Sequence, residues 1–225
     1  MVGISSQITG TEQDDMMIDK IISKPGLVYQ TTIPPSYGYG VSFTVPVNPG
    51  LPYIESSVIR TPTPIGGIAA IHEYWKGDIK LTFEFVASVF HRCTLLLCWE
   101  PDITVDTPDI EDALSTLRNV TVEVCGNTTV ELVIPFLLPE LASPNKPNGK
   151  VLVYVLNPVV SNGSSDPIWT NVFISSDNCA FMCPRRVKNG ATQYVPMSNT
   201  PVYRPAYRDW ETIILMINKK LAKIS

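Results

Sequence analysis

The sequence predicts an all-β chain: an eight-stranded antiparallel jelly-roll β-sandwich with two short helices and extended N- and C-terminal arms. Three observations carry that reading. Apolar and polar residues alternate with period 2 in segment after segment, the signature of strands with one face in a core. The 225 residues include 20 Pro and only 17% charged residues beside 44% hydrophobic ones, against averages near 5% Pro and about 25% charge. Such a chain is not a solvating, disordered one. Finally, long connections separate the second strand from the third and the fourth from the fifth, which suits two packed sheets better than an up-and-down meander.

The elements follow in order. Leu27 to Ile33 and Val41 to Val47 are the first two strands, each bounded by Pro or Gly. Thr63-Pro64 then places an N-cap Thr before a Pro at the first helical position, and Ile65, Ile68, Ala69, His72 and Trp75 fall on one helical face. From Asp78 to Ser88, Ile79, Leu81, Phe83, Phe85 and Ala87 alternate with mainly polar neighbours. Cys93 to Trp99 is apolar on both faces and closes at Glu100-Pro101-Asp102. Thr107-Pro108 repeats the helix-opening device, with Asp109, Glu111 and Asp112 in the first turn and Ile110, Ala113, Leu114 and Leu117 on one face. Val120 to Val124 and Val130 to Phe136 flank Gly126-Asn127 and read as a hairpin. Lys150 to Leu156 is a second two-faced strand, expected to stop at Asn157-Pro158 because Pro has no ladder N–H. The eighth strand runs from Ile168 to Cys183, with a bulge or bend expected at Ser175 to Asn178. Asp209 to Lys223 shows a third helical pattern, with Trp210, Ile213, Ile214, Ile217 and Leu221 in one stripe; a tail packed on the body or on a neighbour reads equally well. The expected organisation is an N-terminal arm (1–26), a jelly-roll body (27–184) and a basic C-terminal arm (185–225).

Charge is unevenly spread. From residue 185 onward Arg185, Arg186, Lys188, Arg204, Arg208, Lys219, Lys220 and Lys223 face only Asp209 and Glu211, a surplus of +6 within a net charge of −4. The rest of the chain therefore carries −10. A basic tail beside an acidic body can meet RNA or seat on an acidic neighbouring subunit, and the absence of a dense Lys/Arg run favours the neighbour. The longest apolar runs, such as Thr94 to Trp99, fall far short of the roughly 18 residues of a membrane span, and Met1 to Gly10 lacks a charged-then-apolar leader. The expectation is a soluble chain without export signal or stable membrane insertion. Five Cys (93, 98, 125, 179, 183) in apolar contexts suggest buried thiols in a reducing compartment, where the sequons at Asn119, Asn127 and Asn162 carry no meaning.

Little points to chemistry. The two histidines, His72 and His91, and cysteines without a CxxC pair do not make a zinc site or a cupin-type metal centre. There is no Gly-x-Ser-x-Gly elbow and no Gly-rich phosphate loop, so no cofactor is expected.

Several segments together resemble the capsid proteins of the picornavirus-like viruses, particularly the dicistrovirus, iflavirus and marine algal groups. Tyr74-Trp75-Lys76-Gly77-Asp78 is similar to the lead-in to their fourth jelly-roll strand, and Phe85 to His91-Arg92 to the link into the fifth. Val120 to Phe136 is similar to their sixth and seventh strands, and Asn157-Pro158 to the exit of the eighth. The resemblance spans about Val41 to Pro184. It implies a virion subunit, one of three related jelly rolls forming an icosahedral shell around positive-sense single-stranded RNA, assembled in the host cytoplasm, with no enzymatic turnover. Its implied partners are other capsid proteins, copies of itself, genomic RNA and a host receptor. It further implies that Asp14 and Asp15 correspond to an Asp-Asp-Phe motif of the N-terminal arm associated with precursor cleavage, although Met16 stands where the pattern has Phe. Within that setting His91 reads either as a pH-sensitive junction contact or as a hydrogen-bonded strand-end histidine. The competing readings are a jelly-roll carbohydrate- or ligand-binding module, with Asp102, Asp106 and Asp109 as a thin calcium loop, and a hydrolase or metal enzyme.

Overall fold

A computed structural model of the chain describes residues 17–54, 60–104, 107–116, 118–161 and 166–185. In chain order its elements are α1 (Ile18–Ile22), β1 (Gly26–Ile33), β2 (Gly40–Pro46), β3 (Pro52–Ile54), β4 (Arg60–Pro62), α2 (Pro64–Ala70), β5 (His72–Lys76), β6 (Ile79–Val86), β7 (His91–Glu100), α3 (Ile110–Thr116), β8 (Arg118–Cys125), β9 (Thr128–Ile134), β10 (Lys150–Ser161), β11 (Ile168–Ser175) and β12 (Ala180–Pro184). Two four-stranded antiparallel sheets, β1-β11-β6-β9 and β2-β10-β7-β8, pack as a jelly-roll sandwich, and two-stranded ribbons β12-β5 and β3-β4 flank it. Each of the eight predicted strands overlaps one strand of the sandwich, but the eighth also takes in β12, and β3, β4 and β5 are strands beyond the eight.

Alternation sets which side chains meet between the sheets. Ile79, Leu81, Phe83 and Phe85 of β6 are fully buried while Lys80, Thr82 and Glu84 face outward. In β7, Cys93, Leu95, Leu97 and Trp99 enter this core, and Leu96 and Cys98 point the other way into a second cluster with Ala113, Leu152 and Tyr154. The two-faced strands are thus covered by the opposite sheet on one side and by α3 on the other. Each such Leu contributes about 1.5–3 kcal/mol by leaving water. The Tyr154 hydroxyl donates to Pro108 O at 2.7 Å, pinning the chain just before α3. Tyr154→Phe should therefore cost about 1 kcal/mol in urea unfolding, the net worth of one buried hydrogen bond.

Several boundaries differ from expectation. α2 has the predicted cap, Thr63 Oγ1 accepting from Gly66 N at 3.1 Å, but ends at Ala70. His72 and Trp75 lie on β5 instead, because pairing with β12 supplies more hydrogen bonds than a short helix containing Gly66 and Gly67. α3 begins at Ile110, with Asp109 O accepting from Ala113 N, so Thr107-Pro108 precedes it; Leu114 is half-exposed rather than core.

The expected hairpin is not one. β8 pairs with β7 and β9 with β6, so the turn at Gly126 (φ +72°) carries the chain from one sheet to the other. Alternation alone cannot distinguish these, since both strands keep one inward face.

β10 continues past Asn157-Pro158 to Ser161 through register shifts. β2 stops pairing at Val155, so Pro158 sits on an irregular edge where the missing N–H costs no ladder bond on that side. The eighth predicted strand is divided: β11 ends at Ser175, and Ala180–Pro184 leaves the sandwich to pair with β5. Within the expected N-terminal arm, α1 places Ile22 in the core, and Ser176 N–H donates to Ile22 O at 2.9 Å. The third helical pattern at 209–223 lies outside the described residues.

Candidate assembly site

The segment from Tyr74 to Asp78 forms a corner that joins four elements. Trp75 is fully buried on β5, its Nε1 donates to Ser143 O at 3.1 Å, and its ring meets Phe136 edge-on at 5.0 Å. Its backbone N–H and C=O pair with Ala142. Gly77 has φ +135°, and a Cβ there would lie 2.6 Å from Asn178 O, so the close approach of the β11–β12 turn requires glycine. Asp78 closes the corner: its carboxylate accepts from Phe136 N at 3.3 Å and Asn178 Nδ2 at 3.0 Å, while its own N–H donates to Asn178 Oδ1 at 2.9 Å. Ser176 Oγ donates to Asp78 O at 2.6 Å. Tyr74 and Lys76 are exposed on the far side of β5. This most specific sequence segment therefore acts by fixing the frame.

Phe85, His91, Arg92, Asn157 and Pro158 collect at the opposite end, where β6 passes to β7 and β10 ends. Phe85 is buried and stacks with Phe83 at 6.4 Å. His91 is 1% exposed; Nε2 lies 2.9 Å from Asp166 O, so it carries the hydrogen, and Nδ1 has no partner. Within this chain it is a buried, hydrogen-bonded strand-end histidine. Asn157 Nδ2 donates to Thr94 Oγ1 at 2.9 Å, bridging the irregular stretch of β10. Arg92 and Asn157 border a shallow groove of about 470 Å³.

Beside the exposed Arg92, Asn157 and Asp166, this end leaves three large apolar side chains uncovered. Val89, Phe90 and Val160 are 71, 65 and 68% exposed. Val89 and Phe90 are consecutive in the β6–β7 loop, where Val89 Cγ1 lies 3.8 Å from where a Cβ on Gly126 would stand, and Val160 pairs with Arg92 on the β10 side of β7. Periodicity did not single these residues out, because they sit in a loop and past a proline.

Other candidates resolve differently. Arg185 is held to the body, its N–H donating to Ile71 O at 2.7 Å and Nη2 reaching Glu73 O at 3.5 Å. Arg186, Arg204, Arg208, Lys219, Lys220, Lys223, Asp14 and Asp15 lie outside the described residues. Among the described residues no group of three His, Cys, Asp or Glu side chains could hold a metal ion. Asp102 instead accepts from Thr104 N and Oγ1, which holds its carboxyl below the usual range. Asn148, which no pattern marked, is buried and bonds Val47 O, Pro135 O and Leu137 N, tying the two sheets' connections together.

All five cysteines are free. Burial pushes the thiols of Cys93 up to about 11 and of Cys98 and Cys179 up to about 12. Those thiols keep their protons longer in the folded chain than in the unfolded one, so their linkage costs nothing below about pH 9 and destabilises the fold as pH rises from there toward 11–12. A thiol-reactive dye at pH 8 should label the exposed Cys125 and Cys183 first, and the other three only on unfolding.

The sequence pattern of the picornavirus capsid protein family matches residues 43–160, from within β2 to the second-last residue of β10. The chain belongs to that family. This capsid protein thus has a structural role, and the match takes in six of the eight sandwich strands, β2 and β6 to β10. A chain in the structure of deformed wing virus carrying the GFP gene superposes with a TM-score of 0.71 at 17% identity, covering 90% of this chain and 56% of that one. The capsid protein therefore spans just over half the length of that chain. A marine algae virus of the order Picornavirales gives 0.69 at 18% identity, covering 82% and 84%. The Triatoma virus empty capsid gives 0.69 at 20%, covering 92% and 84%. No curated protein matches the sequence.

Proposed function

We propose that this capsid protein is one of three related jelly-roll subunits that assemble, with one another and with copies of themselves, into an icosahedral shell around a positive-sense single-stranded RNA genome. Assembly takes place in the host cytoplasm and the product is the virion. The observation that supports the reading is the exposure of three large apolar side chains, Val89, Phe90 and Val160, at one end of the sandwich. An exposed patch of this kind calls for a partner surface. Low charge suits broad contacts, because few ions are desolvated when they form. The test is co-expression with the neighbouring subunits of the same reading frame, followed by sedimentation. Shell-sized particles containing this chain are expected; a lone monomer that binds sugar or calcium would overturn the assignment.

The basic C-terminal arm seats on protein in this reading. Replacing Arg204, Arg208 and the terminal lysines should impair assembly and leave the RNA content of the remaining particles unchanged. A loss of RNA with intact assembly, steeply dependent on salt, would place the arm on the genome instead. For Asp14 and Asp15 the proposed role is acid–base help in cleaving a neighbouring precursor. Changing both to Asn should then leave the precursor uncleaved in assembled particles, and undiminished cleavage would remove the idea.

A further inference from the structure

α3 covers the outer face of the β2-β10-β7-β8 sheet incompletely. Between the lead-in to β2 and the first turn of α3 runs a groove of about 670 Å³, with Tyr39 and Val41 on one side, Asp109, Ile110 and Glu111 on the other, and Tyr154 beneath. Its apolar side chains are only partly covered: Val41 and Ile110 pack on the Leu96, Leu152 and Tyr154 cluster yet reach solvent, and Tyr39 is 72% exposed. Its charged lining residues are Asp109 and Glu111, both acidic and both exposed. At its floor, burial and, after it, the neighbouring Cys98, Asp109 and Glu100 push the Tyr154 hydroxyl up to about 12.

An occupant for this groove needs an apolar stripe flanked by positive charge. The sequence supplies one. Between residues 204 and 223, Trp210, Ile213, Ile214, Ile217 and Leu221 recur at helical spacing, with five cations against two carboxylates. The arm also reaches. Residue 185 is held on the body, and the 18 residues from 186 to 203 span up to roughly 60 Å when extended. The described body has a radius of gyration of only about 15 Å for its size.

We propose that the groove between β2 and α3 is the seat of the protein's own C-terminal segment, residues 204–223, held by its apolar stripe against Tyr39, Val41 and Ile110 and by its cations against Asp109 and Glu111. The proposal deepens the reading in which the arm seats on protein, and it does not require a shell: the contact is measured on unassembled full-length chain, so failure to form particles leaves it standing.

Two reciprocal variants of the full chain test it. In the first, Trp210→Ala with Ile214→Asp should speed amide exchange at residues 39–41 and 107–111 by about tenfold, as a covered surface becomes an open one. In the second, Asp109→Lys with Glu111→Lys should speed tryptic cleavage after Arg204 and Arg208 by a similar factor. Both substituted sites are exposed or lie in the arm, so the melting temperature should hold and the changes are not those of unfolding. Unchanged exchange in the first variant, or unchanged cleavage in the second, would overturn the proposal. So would an arm protected only when RNA is added, which would make the nucleic acid its partner.

Discussion

Trp75→Ala is expected to lower stability by about 3–5 kcal/mol, as fully buried large-to-small changes do. The ring is fully buried against Phe136, so its removal opens a cavity. It also leaves Ser143 O without the indole N–H. The effect should reach beyond one pocket, because the same residue's backbone pairs with Ala142, and Asp78, three residues on, holds the β11–β12 turn through Asn178. For a domain of this size the loss amounts to a fall of roughly 6–20 °C in the melting temperature. Trp75→Phe is the control: it retains most of the apolar contact and gives up the hydrogen bond, and about 1–2 kcal/mol should separate it from the parent chain. A loss below about 1 kcal/mol for Trp75→Ala would mean that the corner does not hold the frame.

Phe90→Asp is expected to act on assembly instead of stability. At 65% exposure the side chain contributes little to the core, so unfolding should stay within about 0.5 kcal/mol of the parent, as for other surface changes. A carboxylate placed in the Val89–Phe90–Val160 patch would have to be desolvated in a subunit contact. An unpaired buried charge at an interface costs several kcal/mol, and each 1.4 kcal/mol is about tenfold in affinity, so particle yield should fall by two orders of magnitude or so. Particles formed at parental yield would show that this end faces solvent in the shell.

The eight sandwich strands were legible in the sequence because each keeps an inward face, and period-2 spacing records that face directly. The covering of Leu96 and Cys98 was legible too, as apolar residues on both sides of one strand. What escaped is whatever depends on partners far along the chain. Whether β8 pairs with β9 or with β7 leaves no mark on alternation. β5 looked helical because His72 and Trp75 happen to extend the α2 stripe, and only pairing with Ala180–Pro184, about 100 residues later, decides otherwise. The candidate site was half legible: Trp75, Gly77 and Asp78 were found by likeness to a family, yet their work is to build the corner. Val89 and Phe90 lie inside the segment that resembles the family's link into the fifth strand, yet neither they nor Val160 was singled out, because periodicity fails where the backbone is irregular. Asn148 and Asn178 act through side-chain hydrogen bonds in loops, to Pro135 O, Leu137 N and Asp78, which no spacing rule reports.

The central claim is that this sandwich is a shell subunit whose apolar end is buried by neighbours. Electron cryomicroscopy of particles obtained by co-expressing it with the neighbouring subunits tests this most directly. The predicted result is an icosahedral shell with density for the β1-β11-β6-β9 and β2-β10-β7-β8 sheets in each repeating unit, and with Val89, Phe90 and Val160 covered by an adjacent jelly roll. Closed shells that exclude this chain, or that contain it with those three residues open to solvent, would contradict it.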